Sequence, residues 1–262
     1  MKPKGSLVCT GDITGTSIDV FEYCGMGHLT EEIPKPLVDV NGKSIIEREL
    51  DLLNNNKITD ITIITGPYKE KFNFKNVNYV NDEKFKEHDQ LGSLMVARDS
   101  ICDDVIILFA DIIFEESILQ EILQSKSDIS LAVDLDWEKS YMNRPDNPFE
   151  GADKVRIENG KATRIFKNAK NDDGKFSIGE FIGLMKLTKE GAKKFVDTYS
   201  ELESTHSGIF HDAKSLQKAK LIDLLQELIE QHVEISTTPI IGKWCEIDTE
   251  QDLQIAKNIF QN

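Results

Sequence analysis

Positive charge is scarce in this 262-residue chain, where 31 Lys and Arg stand against 46 Asp and Glu for a net charge of −15 at pH 7. Such a surface repels phosphate backbones and anionic lipids, so a nucleic-acid or membrane partner is not expected. Any phosphate site has to be a local basic pocket, helped by a divalent metal. Long apolar runs are missing as well. After Met1-Lys2-Pro3-Lys4 only Leu7 to Cys9 is apolar before Gly11, which gives neither a signal-peptide core nor a membrane span and predicts a cytoplasmic protein. Cysteine is sparse: Cys9, Cys24, Cys102 and Cys245 form no CxxC pair and no zinc spacing, so reduced structural thiols are expected. Finally, no arginine precedes Arg48.

What is present is ample apolar material, 39% of residues, without an internal repeat or a low-complexity linker. This predicts one domain spanning residues 1–262. Ser6 to Gly11 reads as a short buried strand, and the glycine-bearing stretch from Gly11 to Thr30 as a loop. Ser44 to Asn55 has apolar residues at helical spacing, with Ser44 and Glu47 placed as a capping box. Ile58 to Thr65 is a β-branched strand closed by Gly66-Pro67, and Val77 to Val80 is another. A helix is expected over Leu91–Ser100. Val105 to Ala110 is an uninterrupted apolar run bounded by Asp104 and Asp111, as in a strand buried on both faces. Further strands are read at Ile129–Val133, at Lys154–Ile157 turned through Asn159-Gly160 into Ala162–Phe166, at Phe181–Leu187 and at Trp244–Ile247. Helices are read at Ala192–Tyr199, Leu216–Gln231 and Glu250–Phe260. Alternation of strands and helices implies an α/β fold with a mixed, mainly parallel central sheet flanked by helices, and a small antiparallel extension.

One segment carries a recognisable pattern. Pro34-Lys35-Pro36-Leu37-Val38-Asp39-Val40-Asn41-Gly42-Lys43-Ser44-Ile45-Ile46, preceded by Leu29-Thr30-Glu31-Glu32, resembles the motif of the nucleotidyltransferases that activate sugar phosphates, phosphocholine and phosphonates. Phe109 to Phe114 sits where that family has its metal-binding aspartate. Trp244-Cys-Glu-Ile-Asp248, followed by Asp252-Leu253, is similar to the closing motif that supplies a second metal carboxylate. Val133 to Trp137, Arg144 to Pro148, Ala152 to Val155 and Gly179-Glu-Phe-Ile-Gly183 are most similar to cytidylyltransferases acting on 2-aminoethylphosphonate and related phosphonates, with phosphocholine enzymes close by. The resemblance implies a Rossmann-like nucleotidyltransferase fold and transfer of CMP from CTP to a small phosphonate, with Mg²⁺ as cofactor and pyrophosphate released. Transfer to phosphocholine or a sugar phosphate is the alternative within the same chemistry, and a catalytically impaired nucleotide-binding homologue is the alternative outside it. A homodimer is left open.

Joining two polyanions demands charge neutralisation and alignment more than a covalent nucleophile. Asp111 and Asp248 each follow an apolar strand, where open α/β sheets form their sites, and the resemblance makes both metal ligands. An aspartate there is otherwise an ordinary turn residue. Lys35, stiffened between two prolines, could reach a phosphate at low entropic cost, though by itself it reads as a solvated surface lysine; the resemblance implies the phosphate contact. Gly11, Gly25 and Gly27 either present backbone N–H groups to the triphosphate or are plain turn glycines, and His28 stands where an arginine is missing. Gln90, Gly92 and Ser93 match the segment that reads the base, though small residues at a helix start also suit a cap. Lys167 with Asn168, Glu180, Asp136 with Asp134, and Arg144 resemble residues that handle the acceptor. Trp137 is either core or an aromatic wall for an ammonium.

Overall fold

A computed structural model of the protein describes the backbone of residues 5–9 and residues 33–142, 144–147, 149–167 and 176–261. The chain begins with β1 (Gly5–Cys9). A 3-10 turn at Lys35–Leu37 leads into a minimal hairpin of β2 (Asp39–Val40) and β3 (Lys43–Ser44). Asn41 and Gly42 both take positive φ, 55° and 88°, as a tight two-residue turn requires. Helix α1 (Ile45–Asn55) starts from the expected capping box, in which Glu47 accepts from the Ser44 amide and Ser44 accepts from the Glu47 amide. There follow β4 (Asp60–Thr65), β5 (Asn78–Asn81), α2 (Gln90–Val96), β6 (Val105–Phe109), β7 (Ile112–Phe114), α3 (Glu116–Gln124), β8 (Ile129–Asp134) and the single turn α4 (Trp137–Ser140). The second half runs through β9 (Lys154–Glu158), β10 (Lys161–Phe166), β11 (Ser177–Leu187), α5 (Lys189–Thr205), α6 (Leu221–Glu230), β12 (Ser236–Pro239), β13 (Trp244–Glu246) and α7 (Glu250–Ile259).

Nine strands form one sheet in the order β5-β4-β1-β6-β11-β8-β12-β10-β9. The four strands from β5 to β6 are parallel, as the helix-between-strands pattern implies. Beyond β6 every neighbour is antiparallel except β8 and β12. The sheet is therefore divided between the two modes, not mainly parallel, and the antiparallel part is half the structure instead of a small extension. The long strand β11 causes this: its far end pairs with β8 and β6, while Ser177–Glu180 also pair with β9. Strands β11, β8, β12, β10 and β9 thereby close a ring of pairings.

Strand β6 explains its own composition. Ile107 and Phe109 face one core cluster with Met185 and Phe195, whereas Ile106 and Leu108 face another with Leu53 and Ile118. Alternate side chains enter opposite layers, so no polar residue is tolerated. Gly183, with φ 81°, lets β11 pass the Phe109 ring: a Cβ there would come within 2.6 Å of that ring. The helix expected over Leu216–Gln231 is broken into a 3-10 turn at Leu216–Lys218 and α6, and that over Leu91–Ser100 into α2 and a 3-10 turn at Arg98–Ser100. No helix among the described residues is long and apolar enough to cross a membrane.

Candidate active site

The C-terminal end of β6 delivers Asp111, and the neighbouring two-stranded ribbon delivers its companions. Strand β13 pairs antiparallel with β7 so that Glu246 stands opposite Ile112, the residue after Asp111. The Ile247 amide then donates to the Asp111 carbonyl at 2.9 Å. Glu246 and Asp248, two residues apart in extended chain, point to one side. Carboxylate oxygens of Asp111, Glu246 and Asp248 all lie within 4.8 Å of one another. Three convergent carboxylates are a hard-oxygen donor set suited to a divalent ion such as Mg²⁺.

Lys35 reaches into this cluster. The 3-10 turn holds it between Pro34 and Pro36, with the Leu37 amide donating to the Pro34 carbonyl at 2.8 Å. Its ammonium, almost fully buried, donates to Asp111 Oδ2 at 3.3 Å and makes a close ion pair with Asp248 Oδ1. The electrostatics follow from this placement. Burial pushes the Asp248 carboxyl up, but the Lys35 ammonium, helped by Arg144, outweighs it and leaves the group below its ordinary value. Glu246 is held well above the usual carboxylate range by burial and by the charges of Asp248, Asp111 and Glu180. Glu49 on α1, 1% exposed, is also raised well above that range by burial and by Asp111, and neither of its carboxyl oxygens has a hydrogen-bond partner among the described residues.

Arg144 serves the cluster from behind. Its Nε and Nη2 each lie 2.8 Å from Asp252 Oδ1, and both side chains are buried. Asp252 Oδ2 accepts from the amides of Asp248 and Thr249 at 3.2 and 3.0 Å, forming the capping box that starts α7. Asn147 bridges Asp248 and Asp252 at 3.4 and 3.3 Å. The guanidinium expected at the acceptor is thus committed to Asp252, and orients the Asp248 loop.

A second group of polar side chains lies at the crossing of β8, β9 and β11. Glu180, 3% exposed, accepts from the Tyr141 hydroxyl through Oε1, and its buried Oε2 has no hydrogen-bond partner among the described residues. Burial, with Asp153 and Asp134 nearby, pushes its carboxyl up to about 8 despite the Tyr141 bond and Arg144. Asp134 accepts from Trp244 Nε1 at 2.8 Å. Lys167 pairs with Asp153 at 3.0 Å, and although burial lowers its ammonium, the charges of Asp153, Glu246 and Asp248 leave it raised. Lys167 therefore faces both groups and also lines a cavity of about 440 Å³ with Arg164, Lys220 and Asp223. Trp137 is nearly buried, and one face carries the Lys154 ammonium 5.5 Å from its centre. Asp136 is not brought in: its side chain is 76% exposed and pairs with Lys139 at 2.7 Å.

At the edge of the parallel half, Ser93 Oγ donates to Asp82 at 2.7 Å, which commits it to the fold. Gly92 is required by close approach, since a Cβ would come within 2.4 Å of the Gln217 carbonyl. Gln90 differs, because its Oε1 is buried without a hydrogen-bond partner among the described residues, as is Oδ1 of Asn81 at the end of β5. Gly11, Gly25, Gly27, His28 and Asn168 lie outside the described residues. Sequence reasoning missed Glu246, Glu49, Tyr141, Asp153 and Asn81. Glu246 was findable, two residues before Asp248 on the same face of one strand. Tyr141 follows a single helical turn and carries no periodic signal.

Residues 25–143 match the MobA-like NTP transferase domain. The chain is 27% identical over 240 residues, 87% of it and 92% of the relative, to the CTP:phosphoglutamine cytidylyltransferase of Campylobacter jejuni. Its fold is that of the inositol-1-phosphate CTP transferase of T. maritima, with a TM-score of 0.70 at 15% identity over 100% of this chain and 98% of that one. The CTP:phosphocholine cytidylyltransferase of Streptococcus pneumoniae gives a TM-score of 0.70 at 17% identity over 99% of both chains. The chain thus has a carboxylate cluster at the end of a parallel strand with a lysine fixed against it, a stretch similar to the MobA-like NTP transferase domain, and cytidylyltransferases among its relatives.

Proposed function

We propose that this nucleotidyltransferase moves CMP from CTP to a small phosphonate or phosphate that carries an ammonium group, with Mg²⁺ held by Asp111, Glu246 and Asp248. The observation that carries this reading is the convergence of Lys35 with three carboxylates at one strand end, next to a buried carboxyl at Glu180 with an oxygen to spare. The relative from Campylobacter jejuni, whose name states CTP and a phosphorylated amino acid as its substrates, supports both halves.

In this reading an acceptor oxygen attacks the α-phosphorus in line, the bond from that phosphorus to the bridging oxygen breaks, and pyrophosphate leaves with the electron pair. The acceptor oxygen is already anionic, so no general base is needed. A divalent ion bound by the carboxylates supplies Lewis-acid neutralisation of the phosphate oxygens. Lys35 directs its ammonium at the same oxygens from a backbone segment that costs little entropy to hold. Gln90 and Asn81 offer their carbonyl oxygens to the exocyclic amine of cytosine, a donor that uracil lacks. Lys167, which pairs with Asp153 and feels the charges of Glu246 and Asp248, neutralises the acceptor's phosphonate in this reading, and Glu180 takes the ammonium.

The test is a pyrophosphate-release panel crossing the four NTPs with 2-aminoethylphosphonate, 2-hydroxyethylphosphonate, phosphocholine and a sugar 1-phosphate. Release should require CTP and one of the two nitrogen-bearing acceptors. Release with the sugar 1-phosphate alone would reject the ammonium site, and a folded sample that binds no NTP in the presence of Mg²⁺ would reject the catalytic reading.

A further inference from the structure

The ammonium of Lys35 lies where the metal of the proposed site would lie. It contacts Asp111 Oδ2 at 3.3 Å and Asp248 Oδ1 more closely, and both carboxylates belong to the set whose oxygens converge within 4.8 Å. Mg²⁺ holds oxygens at about 2.1 Å, so two oxygens sharing it are at most about 4.2 Å apart. An ammonium hydrogen-bonded to the same two carboxylates takes up that volume. It also supplies counter-charge that the cluster needs when no metal is bound, because Asp111 is buried and Asp248 stands beside it, with Arg144 adding to that charge at Asp248. The side chain is 5% exposed, so it is a packed part of the cluster and not a surface lysine resting there by chance.

We propose that Lys35 is the resident counter-cation of the carboxylate cluster and competes with the divalent ion for Asp111 and Asp248, so that metal binding depends on a triphosphate that draws the ammonium away. The proposal rests on the reading of Asp111, Glu246 and Asp248 as metal ligands. The backbone of Lys35 is fixed by its 3-10 turn, but its four-carbon tail can swing from carboxylate to phosphate without moving the chain. Nucleotide therefore frees the metal ligands in the same step that gives the ammonium its catalytic position. By linkage the effect is reciprocal: whatever factor nucleotide contributes to metal affinity, metal contributes to nucleotide affinity. A metal ion alone binds weakly, and the productive species to enter is the metal–nucleotide complex.

The experiment is titration of Mn²⁺ into nucleotide-free protein, followed by calorimetry and by the EPR signal of free Mn²⁺. Lys35→Met removes the charge and keeps the length, and should bind Mn²⁺ about tenfold tighter than wild type or better, since one ion-pair competitor is gone. Lys35→Arg should stay as weak as wild type. Equal or weaker binding by Lys35→Met, with Asp111→Asn abolishing binding, overturns the competition while leaving the metal site intact. Unchanged Mn²⁺ affinity in Asp111→Asn rejects the metal site itself, and the proposal with it. Wild-type crystals soaked in MnCl₂ give the same answer without relying on a variant that folds. Manganese between Asp111 and Asp248 should appear only with the Lys35 ammonium displaced, and manganese there with the ammonium still bridging both carboxylates overturns the proposal.

Discussion

The Ile247 amide donates to the Asp111 carbonyl at 2.9 Å, so the backbone that carries Glu246 and Asp248 is fastened to the residue whose carboxylate they join. Asp111 is held there by main chain, and its side chain can be changed without loosening that link. Asp111→Asn should keep the thermal transition within a few degrees of wild type. Turnover should fall by about 10²–10³, the usual loss when a group facing transition-state charge is removed. Activity near wild type in the folded variant would take Asp111 out of the site.

The Arg144–Asp252 pair is buried on both sides and is here assigned to positioning, not to acceptor binding. Arg144→Met should therefore cost about 3–5 kcal/mol of stability, because Asp252 is left charged and buried. Urea unfolding reads this directly. Below the unfolding transition, KM for the acceptor should change no more than KM for CTP. A selective rise in acceptor KM with unchanged stability would return Arg144 to the acceptor site.

Glu180 gives a pH signature. Its carboxyl is pushed up to about 8 by burial, Asp153 and Asp134, so below that pH the unliganded site is largely neutral. An ammonium binds the ionised form, so kcat/KM for a nitrogen-bearing acceptor should rise as pH increases through about 8. Phosphocholine is the useful probe, since its quaternary nitrogen does not titrate. In Glu180→Gln that rise should vanish and acceptor KM should increase more than CTP KM. A profile that is the same in both proteins would assign Glu180 to the fold.

Glu49 makes a prediction about stability. Both its oxygens are buried without hydrogen bonds to any described residue, and its carboxyl is raised by burial and by Asp111. A raised carboxyl favours folding least where the unfolded chain is ionised: the penalty is absent below the ordinary carboxylate value and grows as pH rises above it. Glu49→Met should thus stabilise the protein by about 1–3 kcal/mol at neutral pH, and by less at about pH 4. A destabilised Glu49→Met at neutral pH would show that the carboxyl has a partner in solution.

Much of this was legible before any coordinates, for identifiable reasons. The β6 run has one explanation, burial on both faces, and Ser44 with Glu47 signals a helix start by local hydrogen bonding alone. Lys35, Asp111 and Asp248 were found through a motif, and the structure brings their side chains together. What the sequence hides is long-range pairing. Nothing local in Ser177–Leu187 says that one strand will serve three neighbours, so the extent of the antiparallel half was missed. Strand β12 (Ser236–Pro239) has no place among the strands read from the sequence, since Ser, Thr, Thr and Pro give no apolar alternation, yet it completes the ring between β8 and β10. Arg144 and Asp136 illustrate the same limit for side chains. Both lie near the Trp137 segment in sequence, and only the fold turns one inward to Asp252 and the other out to Lys139.

Metal-dependent cytidylyl transfer is tested most directly by ³¹P NMR of a single mixture: the protein, CTP and 2-aminoethylphosphonate, with and without Mg²⁺. With the metal, the three CTP resonances should give way to pyrophosphate and to a coupled pair from a mixed phosphonate–phosphate anhydride, in equal amounts. With EDTA the CTP should persist. Conversion of CTP to CMP or CDP without the coupled pair, or an identical spectrum with and without Mg²⁺, would contradict metal-dependent cytidylyl transfer to this acceptor.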